Sequence, residues 1–231
     1  MISQNLLDQL VTSLQSLQDT ATECMEDLQS RYPQVKGKED IYFPTLTTTL
    51  NLTNLCLDLF KECESFFRKR DPVEVLTLLK WIVFIATFSL SEYTQKKVMR
   101  EHPEHWASEN VVSLEYQRKG YKISLMRDII RPAVGSIITE SEAEEWWDLA
   151  KVRNYLTHNN GVAMETETLN IGDTQLQIEA DQMMKGGLTV FLGLSQLLVK
   201  LHTQWLRGFI ETLPNSEQTK RIREMRFGGW G

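Results

Sequence analysis

Between positions 153 and 161 the chain reads Arg153-Asn154-Tyr155-Leu156-Thr157-His158-Asn159-Asn160-Gly161, its tightest grouping of polar chemistry. A guanidinium and an imidazole placed close together suit a phosphodiester. The first holds anionic oxygens and the second moves a proton near neutral pH. RNA carries its own nucleophile in the 2′-hydroxyl, so such a pair needs no metal. Geometry sets a condition on it. On a regular helix five residues span about 140° of rotation and about 7.5 Å of rise. Arg153 and His158 therefore share a face only if the helix ends between them or a second copy supplies part of the site. The Asn159-Asn160-Gly161 stop indicates that the helix does end there. A competing reading pairs Arg153 with Glu145 or Asp148 on its own helix and leaves His158 as a cap.

Other polar groups are more scattered. Arg118, Lys119, Lys122 and Arg127, with Arg131 just beyond, face only Glu115 and Asp128 in the same stretch, the clearest local positive excess. Arg118, Lys119 and Lys122 are candidate phosphate contacts, or the solvated face of a helix. His102 and His105 flank Pro103 without a nearby partner pair, which fits a solvated connection better than a metal site. No metal and no cofactor is expected. Cys24, Cys56 and Cys63 are an odd number without metal-ligand spacing, as in reduced, buried thiols of a cytoplasmic protein.

The elements that must position these groups follow from periodicity. With 42% hydrophobic and 24% charged residues the 231-residue chain has an ordinary globular composition. A net charge of -6 argues against bulk coating of nucleic acid but leaves room for a local basic groove. The N-terminus lacks a signal-peptide pattern, and the most apolar run, Val73 to Leu90, is too short and too charged to span a membrane. Apolar residues three and four apart predict a helix over 2–30, and 32–44 reads as a loop. A second helix is expected over 46–69, and a third over 72–100 behind an Asp71-Pro72 start. That third helix is apolar nearly all round between Trp81 and Leu90, which places it centrally. A more polar fourth helix covers 113–130.

A capping box, Ser141 with Glu144, opens the fifth helix, which runs to about Thr157 and directs Trp146, Leu149, Val152 and Leu156 inward. Glu167–Ile171 and Thr174–Ile178 alternate about Gly172-Asp173 as a β-hairpin. A last helix is expected over 180–213, with Met183, Met184, Leu188, Phe191 and Leu192 among its inward residues. The fold class is thus all-α, a bundle of about six helices with a small β-hairpin before the last. Residues 1–213 form one domain, and 214–231 a basic, flexible tail.

An arginine, a polar residue, three further residues and a histidine, at the end of a capped helix in an all-α chain, resemble the motif of the HEPN superfamily (higher eukaryotes and prokaryotes nucleotide-binding domains). The resemblance covers the motif and the order of helices. It implies a helical bundle that homodimerises with two motifs facing across a cleft, and a metal-independent endoribonuclease of toxin–antitoxin or phage-defence type. Arg153 would then orient the scissile phosphate and Asn154 support it. His158 would act as acid or base while the 2′-hydroxyl attacks, leaving a 2′,3′-cyclic phosphate. Implied partners are RNA, a second copy, and a cognate antitoxin or a nucleotidyltransferase, with no membrane. Some members of the superfamily keep the fold only for binding or dimerisation, so a non-catalytic domain stays open. So does a plain helical interaction protein in which the motif is coincidental.

Overall fold

The computed structural model describes residues 3–62, 65, 69, 71–102, 124–158, 161–172, 174–182, 184 and 189–213. Helix α1 (Gln4–Arg31) begins where the Ser3 side chain accepts the Leu6 N–H, 3.3 Å away. It buries Leu7, Leu10, Leu14, Leu17, Ala21 and Leu28 along one stripe. The expected loop over 32–44 instead holds a 3₁₀ turn (Pro33–Val35) and a short helix α2 (Glu39–Tyr42), and it buries Val35, Tyr42 and Phe43. Single turns interrupted by Gly37, at φ +78°, are too short to show a helical period.

Helix α3 (Pro44–Glu62) starts two residues before its expected position, with proline at the first turn and the Phe43 carbonyl accepting from the Thr47 N–H. Among its described neighbours its buried stripe is not leucine-rich. Thr45, Thr49, Thr53, Cys56 and Phe60 recur at four, four, three and four and face inward, while Leu55 and Leu59 are exposed. The threonines meet the next helix through hydroxyls: Thr45 Oγ1 lies 2.8 Å from Thr94 Oγ1, and Thr49 Oγ1 lies 3.4 Å from Thr87 Oγ1 while donating to the Thr45 carbonyl of its own helix at 2.8 Å. That next helix begins at Pro72 as expected. It runs as α4 (Pro72–Leu79), widens into a π turn (Lys80–Ile85) and continues as α5 (Ala86–Glu101). α5 packs on α2, α3, a second π turn (Leu125–Ile130) and the last helix, which makes it central.

His102 closes α5 and is not part of a solvated connection. Its Nε2 lies 2.7 Å from the Tyr42 hydroxyl, and its ring meets that of Phe209. Residues 103–123, with Arg118, Lys119 and Lys122, lie outside the described residues, and so do Cys63 and the tail 214–231. The described cysteines, Cys24 and Cys56, are free thiols, and burial pushes the Cys56 thiol up to about 11.

Helix α6 (Glu140–His158) opens on a capping box two residues earlier than expected. Glu142 Oε2 accepts the Thr139 N–H at 2.7 Å, and Thr139 Oγ1 accepts the Glu142 N–H at 3.2 Å. The spacing Thr/Ser-x-x-Glu occurs twice in succession, at 139–142 and 141–144. A tight turn through Gly135, at φ +83°, brings the chain to the first. Trp146, Leu149, Val152 and Leu156 are buried as expected. Past the helix, the Gly161 N–H returns to the Tyr155 carbonyl at 2.8 Å, with Gly161 at φ +84°.

Strands β1 (Glu167–Ile171) and β2 (Thr174–Ile178) form the expected antiparallel hairpin about Gly172, with Leu169 opposite Leu176. Their alternation buries Leu169, Ile171, Leu176 and Ile178. The last helix, α7 (Val190–Thr212), starts ten residues later than expected. The described residues just before it return from the hairpin. Ala180 bridges to Ala163, Asp181 adopts φ +59°, and the Met184 N–H reaches the Gly161 carbonyl. Met184 is buried, and Met183 and Leu188 lie outside the described residues.

α7 is clamped to α1 by Gln196, which donates to Thr20 Oγ1 at 2.8 Å, and by Arg207, which donates to Asp27 Oδ2 at 2.6 Å. Fully buried His202 lies against α5, its Nδ1 2.8 Å from Ser91 Oγ. Burial holds its pKa down at about 3. Gly208 approaches the Ile137 backbone so closely that a β-carbon there would sit 2.4 Å from the Ile137 oxygen.

Two predictions follow from this packing. Gly208→Ala should lose roughly 2 kcal/mol in chemical denaturation. Gly193→Ala, on the same helix with nothing within 4 Å, should gain about 0.5–1 kcal/mol. Equal effects at the two sites would rule out the close approach. For His202 the unfolded chain takes up a proton that the folded chain refuses. Stability should therefore fall as pH drops from about 6.5 toward about 3, by at most about 1.4 kcal/mol per unit. His202→Asn keeps an acceptor for Ser91 without a titrating group, so its stability should vary less over that window.

Candidate functional site

α6 is amphipathic by exclusion. Trp146, Leu149, Val152 and Leu156 take the buried face, which leaves residues 153, 154 and 158 on the flank and the outer face. Arg153 sits on the flank toward α5. Its guanidinium lies over the buried Phe88 ring, 4.9 Å from the ring centre, and its Nη2 is 3.4 Å from Glu92 Oε2. Neither Glu145 nor Asp148 on α6 is the carboxylate at this guanidinium; the pairing runs between helices. Phe88 also meets Trp146 edge-on, with ring centres 6.3 Å apart. The arginine is thus held by its stem and ring contact as well as by charge.

Glu92 serves two cations, since its other oxygen contacts Lys96 one turn along α5. The Arg153, Glu92 and Lys96 side chains are 24%, 22% and 23% exposed, so solvent and solutes reach all three. Close by, Asp128 is buried and accepts from the Ser124 N–H at 2.6 Å and from Arg127 Nε at 2.9 Å. Burial alone would raise its pKa. The Arg127 and Ser124 hydrogen bonds outweigh that and hold it below the ordinary value. Its charge also acts on Lys96.

Asn154 and His158 are both exposed. Four residues apart, they are neighbours on the outer face at the C-terminal end of α6. The helix continues through His158, so the end that would let Arg153 and His158 converge falls one residue too late. Within one chain the arginine points to α5 and the histidine to solvent. The structure therefore brings Asn154 and His158 together and sets Arg153 apart from them, with Glu92, Lys96 and Phe88.

Those last three residues were not candidates in the sequence. Their only signal was a Glu-x-x-x-Lys spacing, Glu92 to Lys96, on the polar side of a helix otherwise read as core. Nothing in a single sequence says that this pair faces position 153.

On the other flank the hairpin is fastened to α6. Glu167 accepts from Lys151 Nζ and from the Tyr155 hydroxyl, each at 2.5 Å, and Asp148 Oδ2 accepts the Asn170 N–H at 3.2 Å. Burial would raise the Glu167 carboxyl, but the hydrogen bonds from Lys151 and Tyr155 hold it below its ordinary 4.5. The Tyr155 phenol, partly desolvated and bonded to a carboxylate, is pushed up to about 12. Among the described residues no cluster of three or more His, Cys, Asp or Glu could hold a metal ion. No described helix is long and apolar enough to cross a membrane. Compared with models of protein families, with curated proteins and with solved structures, the chain matches none.

The hairpin clamp is testable on its own. Because the folded-state pKa of Glu167 is lowered, its contribution is present above about 4.5 and is lost as pH falls through the folded value. Glu167→Gln should speed amide exchange in 169–178 at pH 7 while leaving α1 and α7 protected. Acidifying the wild type should lower the hairpin's protection relative to the intrinsic exchange rate at each pH. Unchanged hairpin exchange in the variant would show that the apolar face of the hairpin suffices.

Proposed function

We propose that the chain is a HEPN-like, metal-independent endoribonuclease that works as a homodimer, in a toxin or phage-defence setting. The observation that carries this reading is the end of α6. A partly exposed arginine is fixed on an aromatic ring on its α5 flank, and an Asn154–His158 pair is exposed on its outer face. In this reading Arg153 holds the scissile phosphate and Asn154 supports it by hydrogen bonding. His158 takes the 2′-hydroxyl proton, or returns a proton to the departing 5′-oxygen, and a 2′,3′-cyclic phosphate remains. Since Arg153 and His158 diverge within one chain, the proposal needs a second copy to complete the site across a shared cleft.

A second reading has its own support. Glu92 already neutralises Arg153, as expected of a non-catalytic binding or dimerisation domain, for instance one partnering a nucleotidyltransferase.

The discriminating assay incubates purified protein with a mixed RNA pool in the presence of a chelator. Wild type should cut. His158→Ala and Arg153→Ala, folded by circular dichroism, should each lose at least ~100-fold, as for loss of an acid–base group. Light scattering on the same preparations should show a dimer. An inert wild type, or equal activity in all three proteins, removes the nuclease reading and leaves the binding domain.

A further inference from the structure

We propose that Glu92 is an internal anion that latches Arg153 until an RNA phosphate displaces it, and that Lys96 is the second cation of the phosphate site so uncovered. This rests on Arg153 being the phosphate-binding group of the proposed nuclease, and it concerns how that site is regulated.

The contact has the marks of a replaceable one. Charge-assisted bonds from arginine to carboxylate are usually bidentate and about 2.7–2.9 Å long. Here one guanidinium nitrogen meets one carboxylate oxygen at 3.4 Å. The second carboxylate oxygen is turned to Lys96, so a single carboxylate is divided between two cations. The carboxylate facing this group from the next element, Asp128, is bound to Arg127 and the Ser124 N–H. The trio Glu92, Lys96 and Arg153 therefore carries one net positive charge and stands about one-quarter open to solvent.

A phosphodiester has two free anionic oxygens. It can accept two bonds from the arginine fork and still reach the lysine, which Glu92 does not do. Displacement leaves the guanidinium in place, because the Phe88 ring 4.9 Å away holds it independently of Glu92. The Glu92 side chain is 22% exposed, which gives it a path toward solvent as it withdraws. The pair is long and single-bonded at 3.4 Å, so the latch should weaken phosphate binding modestly and not abolish it.

The probe is a fluorescent RNA oligonucleotide carrying 2′-O-methyl groups throughout, which offers phosphates but no nucleophile. Its binding is read by anisotropy for wild type, Glu92→Gln, Arg153→Ala and the double variant. Glu92→Gln should bind about 3- to 10-fold tighter, the scale of one partly exposed ion pair. The gain should vanish when Arg153 is absent. Glu144→Gln, an equal charge change on an exposed residue of α6, should bind like wild type. If Glu92→Gln fails the circular dichroism check, Glu92→Asp, whose carboxylate falls short of the arginine, should give a smaller gain in the same direction.

A gain that persists without Arg153, an equal gain in Glu144→Gln, or no binding by any protein overturns the latch. Latch behaviour in binding without cleavage of unmodified RNA would keep the latch and remove the nuclease.

Discussion

Phe88 is the residue on which the arrangement of the candidate site depends. Its ring is fully buried in α5, takes the edge of Trp146 and underlies the Arg153 guanidinium. One apolar side chain thus sets the rotation of α6 about its axis and the position of the only arginine on that helix. Once Trp146 is turned onto Phe88, helical geometry turns Leu149, Val152 and Leu156 to the core. It leaves Asn154 and His158 no direction but outward. The two flanks of α6 then differ in chemistry. Glu92 meets the flank toward α5, and the hairpin residue Glu167 meets the other. Both flanks carry cations paired to carboxylates from other elements, so α6 is oriented by packing and pinned by charge.

The central helix presents hydroxyls beside hydrocarbon on its contact surface. Thr87, Ser91 and Thr94 are fully buried on α5, opposite Thr49, His202 and Thr45 respectively. Hydroxyls can satisfy one another or a carbonyl four residues back, as Thr49 does, at small cost and with short side chains that let helices approach. His202 is the exception in size. A neutral imidazole against Ser91 ties α7 to α5 through a directional contact that a leucine would not provide. The result is a core whose helix registers are set by particular hydrogen bonds as well as by volume.

These features explain which parts of the molecule were legible in the sequence. The long elements with a clean apolar period, α1 and α6, and the alternating hairpin about Gly172 were readable because one face of each is hydrocarbon. α3 was placed, but its inward face was not, since threonine at 45, 49 and 53 carries no hydrophobic signal while exposed Leu55 and Leu59 do. The start of α7 was misread because Met184 packs inward from a non-helical return segment, and burial alone mimics a helical stripe. At α6 two overlapping capping boxes were equally plausible locally, and the turn through Gly135 decided between them. Of the candidate residues, Asn154 and His158 could be placed from helix geometry. The partners of Arg153 could not, because an interhelical pair depends on how two helices rotate against each other.

The roughly 140° that ideal helix geometry puts between Arg153 and His158 has a consequence for any chemistry that uses both. A helix that continues through His158 fixes their divergence, and the packing of Trp146 on Phe88 prevents α6 from rolling to reduce it. The two side chains leave the helix in diverging directions, and reducing that divergence through the backbone means unwinding the last turn. The Gly161 N–H bonded to the Tyr155 carbonyl opposes that unwinding. A substrate bridging the two groups within one chain would thus have to wrap the end of α6, passing from the α5 flank to the outer face over about 7.5 Å of rise. In the proposed homodimer a second copy's α6 end would supply the other group without that wrap. Rigidity at this helix end is thus the structural argument behind the proposal that two copies complete the site.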